Sequence, residues 1–205
     1  MPPKPKFTRE EIVDKAFELV REKGFDALTA RELGSRLGSS ARPIFTVFKD
    51  MNELKDEVRK KVEDLLNEYL SRAENYEVYF KQAVKETILF ASDEPNLFHL
   101  LFLRNNEEPV NFEFMKDKFK VQIDHYFDFI KENYELNDEE VYVILKHTCI
   151  YIYGVGAMCA EKVCTFNDDQ LNDLLGEVFM AMLMYIKSGR IHEKTPVPKE
   201  VKKKA

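Results

Sequence analysis

Apolar residues recur along the chain at helical spacing, and most of the runs open on a capping residue. Thr8-Arg9-Glu10-Glu11 starts the first. The Thr8 hydroxyl is placed to accept from the backbone of Glu11, the Glu11 carboxylate to reach back, and Phe7 and Ile12 to staple the entry. The stripe Ile12, Val13, Ala16, Phe17, Val20 follows, and Lys23-Gly24 ends it, with glycine free to take the left-handed conformation. Thr29-Ala30-Arg31-Glu32, flanked by Leu28 and Leu33, repeats the box, and Leu37-Gly38 repeats the stop. Ser39 and Ser40 offer a third start. Pro43 lies in that first turn, where its missing N–H loses no intrahelical bond, so a short helix is expected through about Phe48. Asp50-Met51-Asn52-Glu53 opens a longer helix with the stripe Leu54, Val58, Val62, Leu65, Leu66, Tyr69. Further starts are read at Asn75, Pro95, Asn111, Asn137 (staple Leu136 and Val141) and Asn167 (staple Phe166 and Leu171), and the last helix is expected to stop at Gly189. No segment alternates with the period of a strand and no Asn-Gly or Asp-Gly hairpin turn occurs, so the chain reads as all-α.

Composition narrows this picture. With 205 residues, 44% hydrophobic and 33% charged, the chain suits one or two globular domains rather than disorder. No apolar run is read as long enough to span a bilayer. Met1 to Lys6 carries two lysines and three prolines without an apolar core behind them, unlike a signal peptide. A cytoplasmic protein with no membrane partner is expected, and Cys149, Cys159 and Cys164 are read as reduced thiols. Net charge is −6, but residues 1–49 hold ten Lys/Arg against seven Asp/Glu, a net of +3, which leaves −9 for the remainder. A positive head on an acidic body fits a nucleic-acid-binding unit joined to a partner domain. Enzyme signatures are missing: there is no phosphate-cradling glycine loop, no Gly-x-Ser-x-Gly elbow and no His-Glu-x-x-His. Cys159 and Cys164 lie five apart and His147 two from Cys149, neither a closed zinc set. No enzyme, metal or cofactor is therefore expected.

The segment Leu28 to Phe48 carries the sharpest chemistry. Two short helices meet at Gly38, with Gly34 where the partner must cross closely. The second begins on serines and is slim enough for a major groove of ~12 Å. Arg31, Arg36, Arg42 and Lys49 outnumber the lone Glu32. The order Thr29-Ala30-Arg31-Glu32-Leu33, Leu37-Gly38, Ser40, Pro43-Ile44-Phe45-Thr46-Val47-Phe48-Lys49 and Glu53-Leu54 resembles the tetracycline-repressor (TetR) family of bacterial transcription regulators over about the first quarter of the chain. The resemblance implies a helix-turn-helix DNA-binding domain at 1–49 and a helical ligand-binding and dimerisation domain at 50–189, with a flexible tail at 190–205. By position, Thr29 and Arg31 would hold phosphate, and Ser39, Ser40, Ala41, Arg42 and Thr46 would face the groove, flanked by Pro43 and Phe45. Arg42 is the best base reader, because its fork matches guanine O6 and N7. Lys49 would take a phosphate, and Lys4 and Lys6 would form an arm along the backbone. Three positions depart from the family: Phe45 stands where Tyr is usual, Val47 where His is common, and Ser39 where an apolar residue is usual.

The larger remainder is too much helix for a spacer. The helix from Asn137 is apolar on more than one side, and the last repeats Leu171, Leu174, Leu175, Val178, Met182, Leu183, Ile186. Such helices bury two faces, in a four-helix homodimer interface or in a thicker core. A dimer would carry two heads ~34–36 Å apart onto a palindromic operator in double-stranded DNA. The middle helices are rich in aromatics, and Phe98, Phe102, Met115, Phe119, Tyr126, His147, Tyr151 and Met158 are candidates to line a cavity for a small hydrophobic effector. A C-terminal domain that senses a protein partner is the alternative. A packed core beneath an exposed apolar patch would favour it. The resemblance makes repression, relieved when the effector tilts the long helix from Asp50, the expected mode.

Overall fold

In a computed structural model of the chain, residues 6–72, 79–104 and 120–189 are described, without the side chains of 79–81 and 120–126. The starts expected at Asn75 and Asn111, the residues Lys4, Met115 and Phe119, the Tyr126 side chain and the tail from 190 fall outside them. Among the described residues there is no strand. The helices are α1 (Arg9–Lys23), α2 (Ala30–Arg36), α3 (Met51–Ser71), α4 (Tyr79–Asp93), α5 (Pro95–Phe98, prolonged by a π turn His99–Leu103), α6 (Lys120–Tyr134), α7 (Asp138–Ala160) and α8 (Asp168–Lys187).

The caps explain these boundaries. Thr8, Asn137 and Asn167 each form a complete capping box, with Glu11, Glu140 and Gln170. Asp50 accepts from the backbone of Asn52 and Glu53 at the head of α3, and Pro95 opens α5. The box expected at Thr29 forms only in half. Thr29 accepts from the Glu32 backbone, but the Glu32 carboxylate instead accepts a hydrogen bond from the Lys23 ammonium at 2.6 Å. Gly24 ends α1 at φ 81° and ψ 166°, a positive φ but not the left-handed helical cap expected. Gly189 follows α8 at φ 74°.

Two apolar cores hold the helices. The first joins α1 (Ile12, Ala16, Leu19, Val20) to Leu33 of α2, to Ile44 and Phe48, to Leu54, Val58 and Val62 of α3, and to Leu97, Phe98 and Phe102 of the α5 segment. The second packs α4, α6, α7 and α8 together through residues such as Ile88, Ile130, Ile144 and Leu175. Gly156 of α7 brings the two cores close: a Cβ there would sit 2.5 Å from the Phe98 ring, so only glycine admits that ring. Polar contacts reinforce the seam. The Arg21 guanidinium of α1 grips the buried Glu94 carboxylate with two hydrogen bonds, one of 2.7 Å from Nε, and Asn96 Nδ2 donates to the Arg21 carbonyl at 2.9 Å.

One sequence expectation is corrected. Among the described residues α7, 23 residues long and containing an 18-residue stretch of mean hydropathy 1.4, is long and apolar enough to cross a membrane by length and composition. Lys146 and His147 interrupt the run, so no unbroken apolar stretch marks it in the sequence. In the fold, one face of α7 enters the second core through Val141, Ile144, Leu145, Val155 and Cys159. The opposite side carries exposed Ile150 and Met158.

The Gly156 contact yields a stability test. Gly156→Ala forces Phe98 from its place and lowers unfolding free energy by about 1–3 kcal/mol, the usual cost of overpacking. Urea unfolding measures it, and Phe98→Leu in the same chain recovers part of the loss.

Candidate nucleic-acid interface

Helix α2 and the segment that follows it cross at a point set by one glycine. A Cβ on Gly34 would lie 2.9 Å from backbone atoms of Ser40 and Ala41, which cannot give way as a flexible side chain can. The Ser39 N–H donates to the Gly34 carbonyl at 2.9 Å, and Gly38 turns the chain at φ 61°. Beyond the turn the structure departs from expectation. Instead of a helix from Ser40 to Phe48, residues 39–43 bend and only Ile44–Thr46 form a 3-10 turn. Pro43 supplies the reason: it has no N–H to give, and its ring disfavours a helical Arg42 before it. Ile44 and Phe48 anchor the turn, both essentially fully buried in the first core.

This anchoring leaves one set of side chains outward. Ser40, Arg42, Phe45, Thr46 and Lys49 are exposed, and Ser39, Ala41 and Pro43 are half-buried beside them. The Lys6 ammonium donates to Ser39 Oγ at 3.2 Å, which ties Lys6 to the start of the segment. Thr29 and Arg31 are exposed at the head of α2, although the Thr29 hydroxyl already caps that helix. Arg36, one of the basic residues that outnumber Glu32 in this segment, is half-buried and paired with Glu22 at 2.9 Å. The side chains of Arg31, Arg42 and Lys49 enter no ion pair among the described residues. Three exposed cations that enter no close ion pair among the described residues, at the head of α2 and on the turn, make a surface suited to a polyanion.

A second set of residues, which sequence reasoning did not find, holds this surface in place. Glu53 Oε2 accepts from the Lys49 backbone N–H at 2.7 Å while Oε1 meets Arg9 at 2.8 Å. The same guanidinium reaches Glu57 at 3.2 Å and lies over the Phe48 ring, 4.3 Å from its centroid. The end of the turn is thus tied to both α1 and α3. The Lys49 N–H, and then Arg9, hold the Glu53 carboxyl below its ordinary range. Backbone N–H groups of Glu53 and Asn52 do the same for Asp50.

A separate cavity of about 210 Å³ lies among α4, α6, α7 and α8, lined by Val84, Phe129, Tyr134, Tyr151, Leu175 and Phe179 among others. Of the residues expected at an effector site, Tyr151 lines it. Phe98 and Phe102 stack on each other in the first core, with centroids 4.6 Å apart, and His147 and Met158 are exposed on α7. Among the described residues no three His, Cys, Asp or Glu converge as metal ligands. The three cysteines are free, and burial pushes the Cys149 thiol up to about 11, away from thiolate chemistry at neutral pH.

Residues 12–58 match the model of bacterial regulatory proteins of the tetR family. The fold is similar to that of a protein described as a TetR-family transcriptional regulator from Vibrio parahaemolyticus, at 21% identity and a TM-score of 0.55, with 84% of this chain and 97% of that one covered. It is also similar to the fatty acid degradation regulator FadR from Bacillus halodurans, at 15% identity and a TM-score of 0.55, with 85% and 94% covered. No curated protein sequence matches the chain.

The carboxylate ties make the turn acid-sensitive. A depressed folded pKa contributes stability above the ordinary Glu value of about 4.3, which is lost as pH falls through the folded value. The melting temperature is expected to hold above about pH 5 and to fall below about pH 4. Glu53→Gln lowers it at neutral pH and flattens the acid limb, which calorimetry across pH 3–7 reads.

Proposed function

We propose, from the premise that the chain belongs to the tetR family of bacterial regulatory proteins, that it is a dimeric repressor released from a palindromic operator by a small, uncharged, hydrophobic effector. The observation that carries the DNA-reading part is the protruding turn, with Arg42 and Lys49 exposed and unpaired among the described residues around a Gly34 crossing that fixes its direction. In this reading residues 1–49 form the reading head and 50–189 the sensing and dimerising body. Arg42 reads a base, Lys6, Arg31 and Lys49 meet phosphates, and Ser39, Ser40, Ala41 and Thr46 face the groove.

Dimerisation is supported by the outer faces of α7 and α8. Exposed Ile150 and Met158 on one, and Met180, Met184 and Tyr185 on the other, make an apolar surface of the kind two subunits cover. Gly154 has open space where its Cβ would stand, so a partner helix can approach closely there. The cavity supports a small-molecule effector over a protein one. No lining residue carries a full charge at neutral pH, and its volume lies below the roughly 300–1,000 Å³ of drug-sized sites. The effector acts only by preferring the form that does not bind DNA.

Selection of duplexes from a random library by the purified chain tests the reading. A palindromic site is expected, bound with an affinity that falls steeply with salt. Arg42→Ala weakens that site by roughly 5- to 150-fold, the effect of a lost base contact of about 1–3 kcal/mol. Ile150→Glu combined with Met184→Glu gives a monomer in sedimentation and loses the palindrome. Weak binding indifferent to sequence and to Arg42→Ala overturns the proposal.

A further inference from the structure

We propose that Phe45 is a specificity-determining residue that reads the C5-methyl group of a thymine in the operator half-site, with the methyl of Thr46 beside it. The inference rests on the DNA-reading function above and names the chemistry that the turn selects.

Phe45 is 47% exposed, although its neighbours Ile44 and Phe48 are buried at 0% and 1%. The turn has therefore met its packing needs with those two residues. Phe45 belongs to neither apolar core, nor to the partly buried residues packed against them. A large ring that keeps about half of its surface exposed on the turn is available to a partner. Its surroundings define that partner. Arg42 lies three residues before it, about one turn away, and Lys49 four after, both exposed. An apolar ring set among cations fits a polyanion with apolar groups between its charges, which describes a DNA groove rather than an apolar protein face.

Within the groove the options are few. A phenyl ring has no hydroxyl with which to donate to a phosphate. It gains by apolar contact, and of the four bases only thymine presents an apolar group, its C5-methyl, in the major groove. Thr46 points the same way. Its hydroxyl already donates to the Pro43 carbonyl at 2.6 Å, so that proton is unavailable to a base and the exposed side chain offers its methyl. Half-buried Ala41 adds another methyl. The reading surface is thus one guanidinium fork, Arg42, flanked by apolar groups, and its matching half-site holds a guanine with thymine next to it.

The test uses the full chain and the duplex recovered by selection. Each thymine of the half-site is replaced in turn by deoxyuridine, which pairs identically and lacks only the methyl. At one position the wild type is expected to lose about fourfold in affinity per half-site, the contribution of one buried methyl-sized group. Phe45→Ala weakens binding to the thymine duplex and shows no further loss at that position on the deoxyuridine duplex. Thr46→Ser, which keeps the bond to Pro43 and drops the methyl, loses sensitivity at the neighbouring position. Phe45→Ala lowers the melting temperature far less than truncation of its buried neighbours Ile44 or Phe48, because the ring belongs to neither core. Deoxyuridine without effect anywhere, or with an equal effect in wild type and Phe45→Ala, overturns the methyl reading while DNA recognition stands. Failure to select any sequence overturns the DNA-reading function beneath it.

Discussion

The buried face of α1 has no core of its own to enter. Ile12, Ala16, Leu19 and Val20 are essentially inaccessible to solvent, yet α2 and the reading turn supply only a few large side chains to cover them. A unit of about 50 residues is marginal alone, and here α3 and the α5 segment complete its core. The helix is then fixed at both ends, by Arg9 to Glu53 and Glu57 of α3 and by Arg21 to Glu94. The reading turn therefore cannot swing freely on a linker. Its position follows α1, and α1 follows the body. In the proposed mechanism this is the mechanical link. Val84 of α4 lines the cavity, and Glu94 immediately follows the end of α4. An effector that shifts α4 shifts the carboxylate that holds α1. Coupling then depends on how differently the two forms place Glu94.

The sequence was legible where physics is local. Capping boxes need residues three apart, so Thr8, Asn137 and Asn167 marked their helices correctly. The Thr29 box failed in half because Lys23, nine residues away from Glu32, took the carboxylate. The reading helix was overestimated because Pro43 was credited with tolerance in a first turn, whereas its restriction of Arg42 leaves a single 3-10 turn. The ties that matter most were not visible. Arg9 and Glu53 are 44 residues apart, Arg21 and Glu94 are 73 apart, and nothing in local spacing pairs them. Aromatic richness likewise does not say which ring faces a cavity. Phe98 faces Gly156 and fills space, whereas Tyr151, on the same helix as that glycine, reaches the cavity.

The outer surface of α7 raises the question of what covers it. Its length and hydropathy suit a membrane, but a spanning helix would strip Val141, Ile144 and Leu145 from α4, α6 and α8 and expose the second core. It would also carry Lys146 into hydrocarbon, at a cost of roughly 2.5–3.5 kcal/mol by insertion scales. Retaining the inner face in the core and covering only the outer one avoids both costs. A partner for the outer face would have to match two adjacent helices with an exposed glycine, Gly154, between large apolar residues. A second copy of α7 and α8 offers the same surface in return, as a two-fold interface requires. In the proposed dimer the excess hydropathy of α7 would reflect a helix buried on two sides, one by its own chain and one by its partner. The same two-fold relation would set two Phe45 rings at equal positions on the half-sites, so that one methyl contact per subunit counts twice in affinity.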